Sequence, residues 1–524
     1  MYDVALIHPP SVYDFRKLGY PIAAPISDVI PSRPVFDMYP AGFLSLASYL
    51  EKRGVRVGIF NLAALMLLDE QFDVVRFLKS LKAAVYAIDL HWLVHAHGAL
   101  KIAEIVKRIH DAPVVLGGLS ATYYWREILE RYPWVDYVIL GDTAEPALYE
   151  LYQALSSQRP LSDVPNLAYR DRSPKINRIY APCRQDEYRP KYDVLAKVFA
   201  RSGVVPALPW ADFLKNPIAA VISYKGCRLN CITCGGSTYA YRRLGRICLG
   251  VKSPLTIFEE FKEIAERLKA PVFFVGDLQI LGRRYVEELV ELLHREKTDV
   301  ELIFEFFTPP AEDLLKIYRR AGDRVLLQIS PEDPDEDIRM RFGRPYTNNQ
   351  LFKFARSASI FERVDYYFMI GLPGQRPGRP LGRFYIELYR ATAGRANAFV
   401  APLAPFVDPG SLAFETPERF GYRLLAKTLE DHACLLLQKP WYHMLNYERE
   451  LMDRKSVALA TYEAAYDLAR AKAELGQINP SFLEELRRAR EILEGPITIR
   501  ENLYPSSDGP IKPKLYTELF GYNF

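Results

Sequence analysis

Three of the six cysteines fall within eight positions, in the run Gly226-Cys227-Arg228-Leu229-Asn230-Cys231-Ile232-Thr233-Cys234-Gly235-Gly236. Soft thiolate ligands favour zinc, copper or an iron–sulfur cluster. A structural zinc site usually closes with a fourth Cys or His at similarly short spacing, and none stands nearby. Three thiolates on one loop leave a metal position open. An open iron of a four-iron cluster can bind a chelating substrate, whereas ordinary electron-transfer clusters are held by four cysteines. Gly235 and Gly236 carry no Cβ, so the backbone there can turn and approach a ligand closely. The remaining cysteines, Cys183, Cys248 and Cys434, are isolated and read as buried or incidental thiols. Cys248 is the nearest thiol that a non-catalytic iron–sulfur carrier could recruit as a fourth ligand.

The elements that must position this loop follow from hydrophobic periodicity. Short β-branched runs alternate with amphipathic helical stretches from the start: strands at 4–8, 55–60, 84–89, 113–118 and 137–141, helices near 41–53, 73–82, 96–110, 123–131 and 144–156. Five βα units predict a parallel sheet covered on both faces, with ligands at the carboxyl ends of its strands. From about 157 to 215 the periodicity breaks into a connector without a long helical face. A second rhythm places strands at 219–224, 271–276, 300–307, 324–330, 364–371 and 397–403, separated by helical patterns at about 255–269, 283–296, 311–321, 347–360 and 380–393. Six strands with intervening helices suit a full or partial parallel barrel whose chemistry sits on the loops after each strand. The cysteine run comes directly after the first of them. The expected organisation is an α/β domain over 1–157, a connector over 158–215, a barrel over 216–420 and a mainly helical extension over 421–524, ending in a loop-like tail.

Composition narrows the class without choosing a substrate. The 524 residues, 49% hydrophobic and 25% charged, describe an ordinary folded protein of about three domains. Lys and Arg exceed Asp and Glu by 68 − 64 = 4, spread along the whole length, which gives no argument for nucleic acid. The first residues show no basic segment followed by a long apolar one, and no uncharged run reaches the ~18 residues of a membrane span. With so few cysteines for the length, a reducing cytoplasm is the expected location. The 34 Tyr and 28 Phe could line an apolar cavity for a lipid, tetrapyrrole or polyketide-like molecule, although most aromatics of a protein this size fill cores.

The Cys-x3-Cys-x2-Cys loop at a first barrel strand resembles the radical S-adenosylmethionine superfamily. The resemblance implies that Cys227, Cys231 and Cys234 hold a [4Fe-4S] cluster whose fourth iron binds S-adenosylmethionine. The other strand ends agree with that pattern: Gly276-Asp277, Ser330-Pro331-Glu332 with Arg341 to Tyr346 beyond it, and Gly371-Leu372-Pro373-Gly374. By resemblance, Gly235, Gly236, Asp277, Ser330, Glu332 and Gly371 contact S-adenosylmethionine. Glu305, a carboxylate inside an apolar run, must face a polar cavity or be paired.

A βα domain ahead of such a barrel resembles the cobalamin-binding class of the superfamily, and makes the N-terminal domain flavodoxin- or Rossmann-like and the barrel a partial (β/α)6 TIM-like one. Gly117-Gly118-Leu119-Ser120-Ala121-Thr122 and Gly141-Asp142-Thr143-Ala144-Glu145 carry the likeness. It implies cobalamin contacts from Asp89, Gly117, Gly118, Ser120, Thr122, Gly141 and Glu145. The Asp-x-His-x-x-Gly signature that supplies a lower axial histidine is missing, since His8-Pro9-Pro10 stands after the first strand, so cobalamin is expected without a protein histidine below cobalt. His91, His95 and His97 form a histidine-rich loop at the same crevice, with spacing that could bind a metal and a commoner role in the loop itself. No catalytic side chain is singled out.

The implied activity is reductive cleavage of S-adenosylmethionine to a 5′-deoxyadenosyl radical, with methylation of an unactivated carbon first and cyclisation, rearrangement or carbon–carbon coupling second. The implied partners are a small-molecule substrate, lipid or tetrapyrrole-like, and an electron donor such as ferredoxin or flavodoxin. Trp441, Tyr442 and His443 could close the barrel mouth, and more simply pack between helices.

Overall fold

The computed structural model describes residues 1–18, 35–378, 380–402, 406–438, 441–484 and 486–487. The first sheet is built from β1 (Tyr2–His8), β2 (Val57–Asn61), β3 (Ala83–Asp89), β4 (Val114–Gly117), β5 (Tyr137–Ile139), β6 (Leu167–Arg170) and β7 (Pro174–Ile176), in the order β2-β1-β3-β4-β5-β6-β7. β1 to β5 are parallel, and β6 and β7 add antiparallel to the β5 edge. Val4 to Ile7 are buried to the last residue, as expected of a strand covered on both faces. The connector is therefore more ordered than its irregular periodicity predicts. Its first part completes the sheet, and it also carries the helix Tyr192–Ser202, which buries Tyr192, Leu195 and Val198. Three buried positions in eleven residues are too sparse a stripe to stand out from sequence.

The second sheet is parallel and runs β8 (Ala219–Ile222), β11 (Val272–Val275), β12 (Leu302–Phe306), β13 (Val325–Glu332), β14 (Arg363–Ile370) and β15 (Ala396–Pro402) in spatial order. A two-stranded ribbon of β9 (Tyr224–Lys225) and β10 (Gly250–Val251) flanks it. β8 and β15 end the sheet, so the barrel is open along one side. Alternation assigns the two faces. Phe274, Phe304, Leu327, Tyr366 and Ala398 join the core under the surrounding helices, so their neighbours Phe273, Ile303, Leu326, Asp365 and Phe399 point to the lumen. Phe273, Ile303 and Leu326 form a separate small cluster there.

β13 runs two residues past its expected end through a register shift between Ile329 and Glu332, which places Glu332 inside the strand. The helix expected near 123–131 is two pieces, Leu119–Tyr123 and Trp125–Arg131. The C-terminal region is helical apart from an antiparallel pair, β16 (Tyr422–Leu424) and β17 (Tyr447–Arg449), that encloses the helix Leu429–Leu435. Its main element is the helix Arg454–Glu474. That helix packs on the helix Leu381–Ala391 and along β15, and Gln477 Nε2 beyond it donates to the Ala396 carbonyl at 3.0 Å. The tail expected as loop, and the helical pattern past 487, lie outside the described residues. Among the described residues no helix is long and apolar enough to cross a membrane.

Cys183 and Cys248 form a disulfide with a Cα–Cα distance of 5.8 Å. This corrects their reading as isolated thiols and removes Cys248 as a cluster ligand. Sixty-five positions separate them, so spacing carries no signal of the pairing. Cys434 is exposed rather than buried.

The helix pair over the open side is tight at Gly382, where a Cβ would lie 2.5 Å from the Asp467 carbonyl oxygen. Alanine gains about 1 kcal/mol in helix propensity, whereas forcing two packed helices apart costs about 1–3 kcal/mol. Gly382→Ala is expected to lower stability by about 1 kcal/mol in urea unfolding, and a stabilised variant would contradict the packing described.

Candidate active site

The cysteine loop leaves β8 and the β9 ribbon at the carboxyl end of the barrel. Cys227, Cys231 and Cys234 are free thiols. The Leu229 amide donates to Cys227 Sγ at 3.3 Å and the Gly236 amide to Cys234 Sγ at 3.2 Å. Burial pushes all three thiols up, opposed at Cys227 and Cys231 by the Arg344 guanidinium. Among the described residues no three His, Cys, Asp or Glu side chains converge on one metal ion. Three free thiols on one loop suit a cubane, in which each thiolate binds its own iron. The donor set thus fits a three-cysteine iron–sulfur cluster.

Segments distant in sequence brace the loop. Ile232 N–H donates to the Phe342 carbonyl at 2.9 Å, and Asp408 N–H to the Thr233 carbonyl at 3.1 Å. Asp408 Oδ2 accepts the Gly235 amide at 2.8 Å, and burial pushes this carboxyl up to about 6. Gly343, at φ 121°, approaches so closely that a Cβ would lie 2.8 Å from Cys231 Cα and 2.9 Å from the Asn230 carbonyl oxygen. From the next position, half-buried Arg344 pairs with Glu332 at 2.9 Å. Glu332 sits at φ 68° at the strand irregularity, and its Oε2 has no hydrogen-bond partner among the described residues.

The other strand ends combine open and committed groups. Asp277 caps the turn after β11, accepting from the Gln279 side chain at 2.8 Å and the Phe307 amide at 2.9 Å. Glu305 faces the lumen, accepts the Gly276 amide at 2.7 Å, and is pushed up to about 7 by burial. Ser330 is half-buried beside it in the strand order. Gly371 is held by Gln375, which accepts its amide at 2.7 Å, and by Tyr422, whose hydroxyl donates to its carbonyl at 2.8 Å. Asp277 thus spends its carboxylate on the protein, Glu332 commits one oxygen to Arg344, and the amides of Gly235, Gly236 and Gly371 are likewise bonded within the protein.

In the N-terminal crevice the polar candidates hold one another. His8 is fully buried, with Nδ1 3.0 Å from Asp89 and Nε2 3.0 Å from the Phe36 carbonyl. Both of its nitrogens are engaged. Asp89 also accepts the His91 amide at 2.9 Å. Ser120 Oγ donates to the His91 carbonyl at 3.0 Å, while Thr122 Oγ1 donates to the Gly118 carbonyl at 2.7 Å and accepts the Gly141 amide at 2.9 Å. These hydroxyls tie together the loops after β3, β4 and β5 instead of standing free. Gly117 has open space where a Cβ would be, and Gly118, at φ 113°, has the His91 backbone 2.4 Å from that point. Glu145 is buried, bonded to Ser45 Oγ at 2.5 Å and paired with Lys225 of the β9 ribbon at 3.7 Å. Asp142 pairs with Arg246, Nη2 to Oδ1 2.7 Å. Both contacts join the end of the first sheet to the cysteine side of the barrel. Arg246 also donates to the Pro182 and Cys248 carbonyls at 3.2 and 3.1 Å, beside the disulfide. Of the aromatic trio, Tyr442 is nearly buried and sits with His443 in a single 3-10 turn; the Trp441 side chain lies outside the described residues.

Comparison with known proteins agrees with this geometry. Residues 28–149 match the B12 binding domain and residues 221–378 the radical SAM superfamily. The structure of the radical S-adenosylmethionine methyltransferase TsrM from Kitasatospora setae, with cobalamin and a [4Fe-4S] cluster bound, aligns with a TM-score of 0.60 at 14% identity over 94% of this chain and 98% of that one. The cobalamin-dependent S-adenosylmethionine radical enzyme OxsB aligns at 0.59, 14% identity, over 94% and 72%. By sequence, an anaerobic magnesium-protoporphyrin IX monomethyl ester cyclase of Cereibacter sphaeroides is 24% identical over 296 residues, 53% of this chain and 45% of the relative. An uncharacterized methyltransferase of Pyrococcus horikoshii is 30% identical over 146 residues, 27% and 29%. The chain spans less than half the length of these curated relatives. Fold and site together define a barrel that takes an iron–sulfur cluster with S-adenosylmethionine, behind a domain of the cobalamin-binding kind. The chain thus carries a radical SAM domain over 221–378 behind a B12-binding domain over 28–149.

Sequence alone misses Asp408 and Gly343, which reach the cysteine loop from far along the chain. Gly343→Ala is expected to keep the fold but lower the iron and sulfide retained after reconstitution, because the left-handed backbone and the Cys231 contact both exclude a Cβ. Normal iron content would contradict the bracing described. Burial pushes His95 down to about 4, against about 6.5 unfolded. The unfolded chain thus binds the extra proton first, so this contribution is complete above pH 6.5 and lost as pH falls toward 4. Urea unfolding should show a loss of roughly 2 kcal/mol from this group between pH 6.5 and 5, with a shallower slope in His95→Gln.

Proposed function

We propose that the chain is a cobalamin-dependent radical SAM enzyme that methylates an unactivated carbon of a small molecule. The observation that carries this reading is the placement of three free thiols on one braced loop, opposite the strand ends of a B12-binding domain and tied to it by Lys225–Glu145 and Arg246–Asp142. Bound there, the cluster supplies the electron that splits S-adenosylmethionine into methionine and a 5′-deoxyadenosyl radical, and cobalamin supplies the methyl group.

The chain's own residues do the rest. Cys227, Cys231 and Cys234 ligate the cluster. Gly235, Gly236, Ser330 and Gly371 form the S-adenosylmethionine surface, with Asp277 and Glu332 as positioning residues that fix the turn after β11 and the Arg344 side chain. Gly117, Gly118 and Gly141 offer backbone to cobalamin, while Asp89, Ser120, Thr122 and Glu145 hold those loops in place. With both His8 nitrogens engaged, the chain's first-strand histidine is committed to the protein, in keeping with cobalamin lacking a histidine ligand from that position. The proposed reductant is a one-electron donor such as ferredoxin or flavodoxin, and the proposed location is the cytoplasm.

A second reading, a radical cyclase, is favoured by the cyclase relatives and would take a tetrapyrrole-like substrate in the same chamber. The deciding experiment is anaerobic reconstitution with iron, sulfide, cobalamin, reductant and S-adenosylmethionine. Formation of 5′-deoxyadenosine with retained cobalamin is expected, and Cys231→Ala should reduce it to background. Product without cobalamin removes methyl transfer, and no product removes the catalytic reading.

A further inference from the structure

The lumen of the barrel holds a polar layer where a parallel barrel usually packs apolar side chains. Its floor is apolar: Phe273 pairs in register with Ile303, and Ile303 with Leu326. One step up, Glu305, Gln328, Asp365 and Asn397 are consecutive register partners across four strands, all on the lumen face by alternation. Lys472 enters this chamber from the side. It belongs to the helix that runs along the open edge at β15, is 2% exposed, and sets its ammonium 5.1 Å from the centroid of the Phe399 ring, which stacks on Tyr367.

No carboxylate pairs with this ammonium. Both oxygens of Asp365 are bound by Arg363, at 2.9 and 3.1 Å, so the nearest acid is already neutralised. Glu305 lies toward Gly276, Asp277 and Arg344. Lys472 makes no hydrogen bond or ion pair among the described residues, and neither does the Gln328 amide, itself only 3% exposed. Lys472 is thus left without a counter-ion among the described residues, and burial pushes it down to about 7. An unpaired buried charge is costly, and the nearby groups that are still uncommitted, an ammonium and a carboxamide, suit an anionic oxygen acceptor.

We propose that the barrel lumen binds a substrate carboxylate, with Lys472 as its counter-ion and Gln328 as a second donor. This rests on the radical-enzyme reading for the identity of the occupant as substrate, but the anion site can be tested without turnover. The probes are benzoate and its neutral isostere benzamide, each at millimolar concentration, against the cluster-reconstituted full chain under anaerobic conditions, read as thermal melting.

Benzoate should raise the melting temperature of the wild type by about 2 °C or more while benzamide does not. Lys472→Met should melt higher than wild type without ligand, since it removes an uncompensated charge, and should lose the benzoate shift. Lys472→Arg should keep it. A purely structural lysine gives the opposite first result, a lower melting temperature in Lys472→Met. Equal effects of benzoate and benzamide, no benzoate shift in the wild type, or a shift that survives in Lys472→Met each overturn the proposal. A preparation that discriminates the probes through Lys472 yet forms no 5′-deoxyadenosine supports the anion site and refutes the catalytic reading.

Discussion

Two parallel sheets meet here with the carboxyl ends of their strands facing one another, and the charges buried at that seam fix how they meet. Arg246 is 3% exposed and Glu145 2%. A guanidinium or carboxylate removed from water to that extent is tolerable only when paired. Asp142 must therefore stay on Arg246, and Glu145 near Lys225, which leaves the loop after β5 no freedom to drift from the loop that carries the cysteines. The same Arg246 gathers the Pro182 and Cys248 carbonyls, so the connector and the barrel ribbon converge on the seam. Cofactor chemistry that needs two domains to face one gap depends on this joint more than on any single strand.

Within the barrel, the cysteine loop takes its shape from contacts made by chain far from it. Phe342, Gly343 and Asp408 hold its backbone, and Arg344 brings a positive charge to its thiols. Long-range bracing of this kind costs chain entropy to form, and in return a loop with two consecutive glycines keeps one conformation.

Most of the architecture was legible from periodicity, because parallel strands covered on both faces are nearly continuous apolar runs and their helices have clean stripes. The boundaries of nine helices agree with their expected spans to within a few residues, among them Ala96–Ile109 and Arg283–Glu296. The cysteine loop was legible because a ligand set on one loop is a local property. What escaped was non-local. The Cys183–Cys248 bond, the seam pairs, Asp408 on Gly235 and Lys472 under Phe399 each join positions tens to hundreds of residues apart, and no periodicity records them. The polar residues expected at the cobalamin crevice were in the right loops but in different roles: Ser120 and Thr122 satisfy backbone groups, and Asp89 satisfies His8. Sequence reports a hydroxyl's presence at a strand end and is silent on which neighbour claims it first.

The helix Arg454–Glu474 touches its neighbours largely through alanines, among them Ala458, Ala464, Ala465 and Ala469, and faces a glycine across the contact. A closed barrel has its bore set by strand number and stagger, quantities that change only in whole steps. Here one wall of the chamber is a separate rod lying on a smooth track. Its lateral position can vary continuously with the size of a few side chains, so relatives sharing all six strands can differ in the girth of the molecule they enclose without disturbing the metal end.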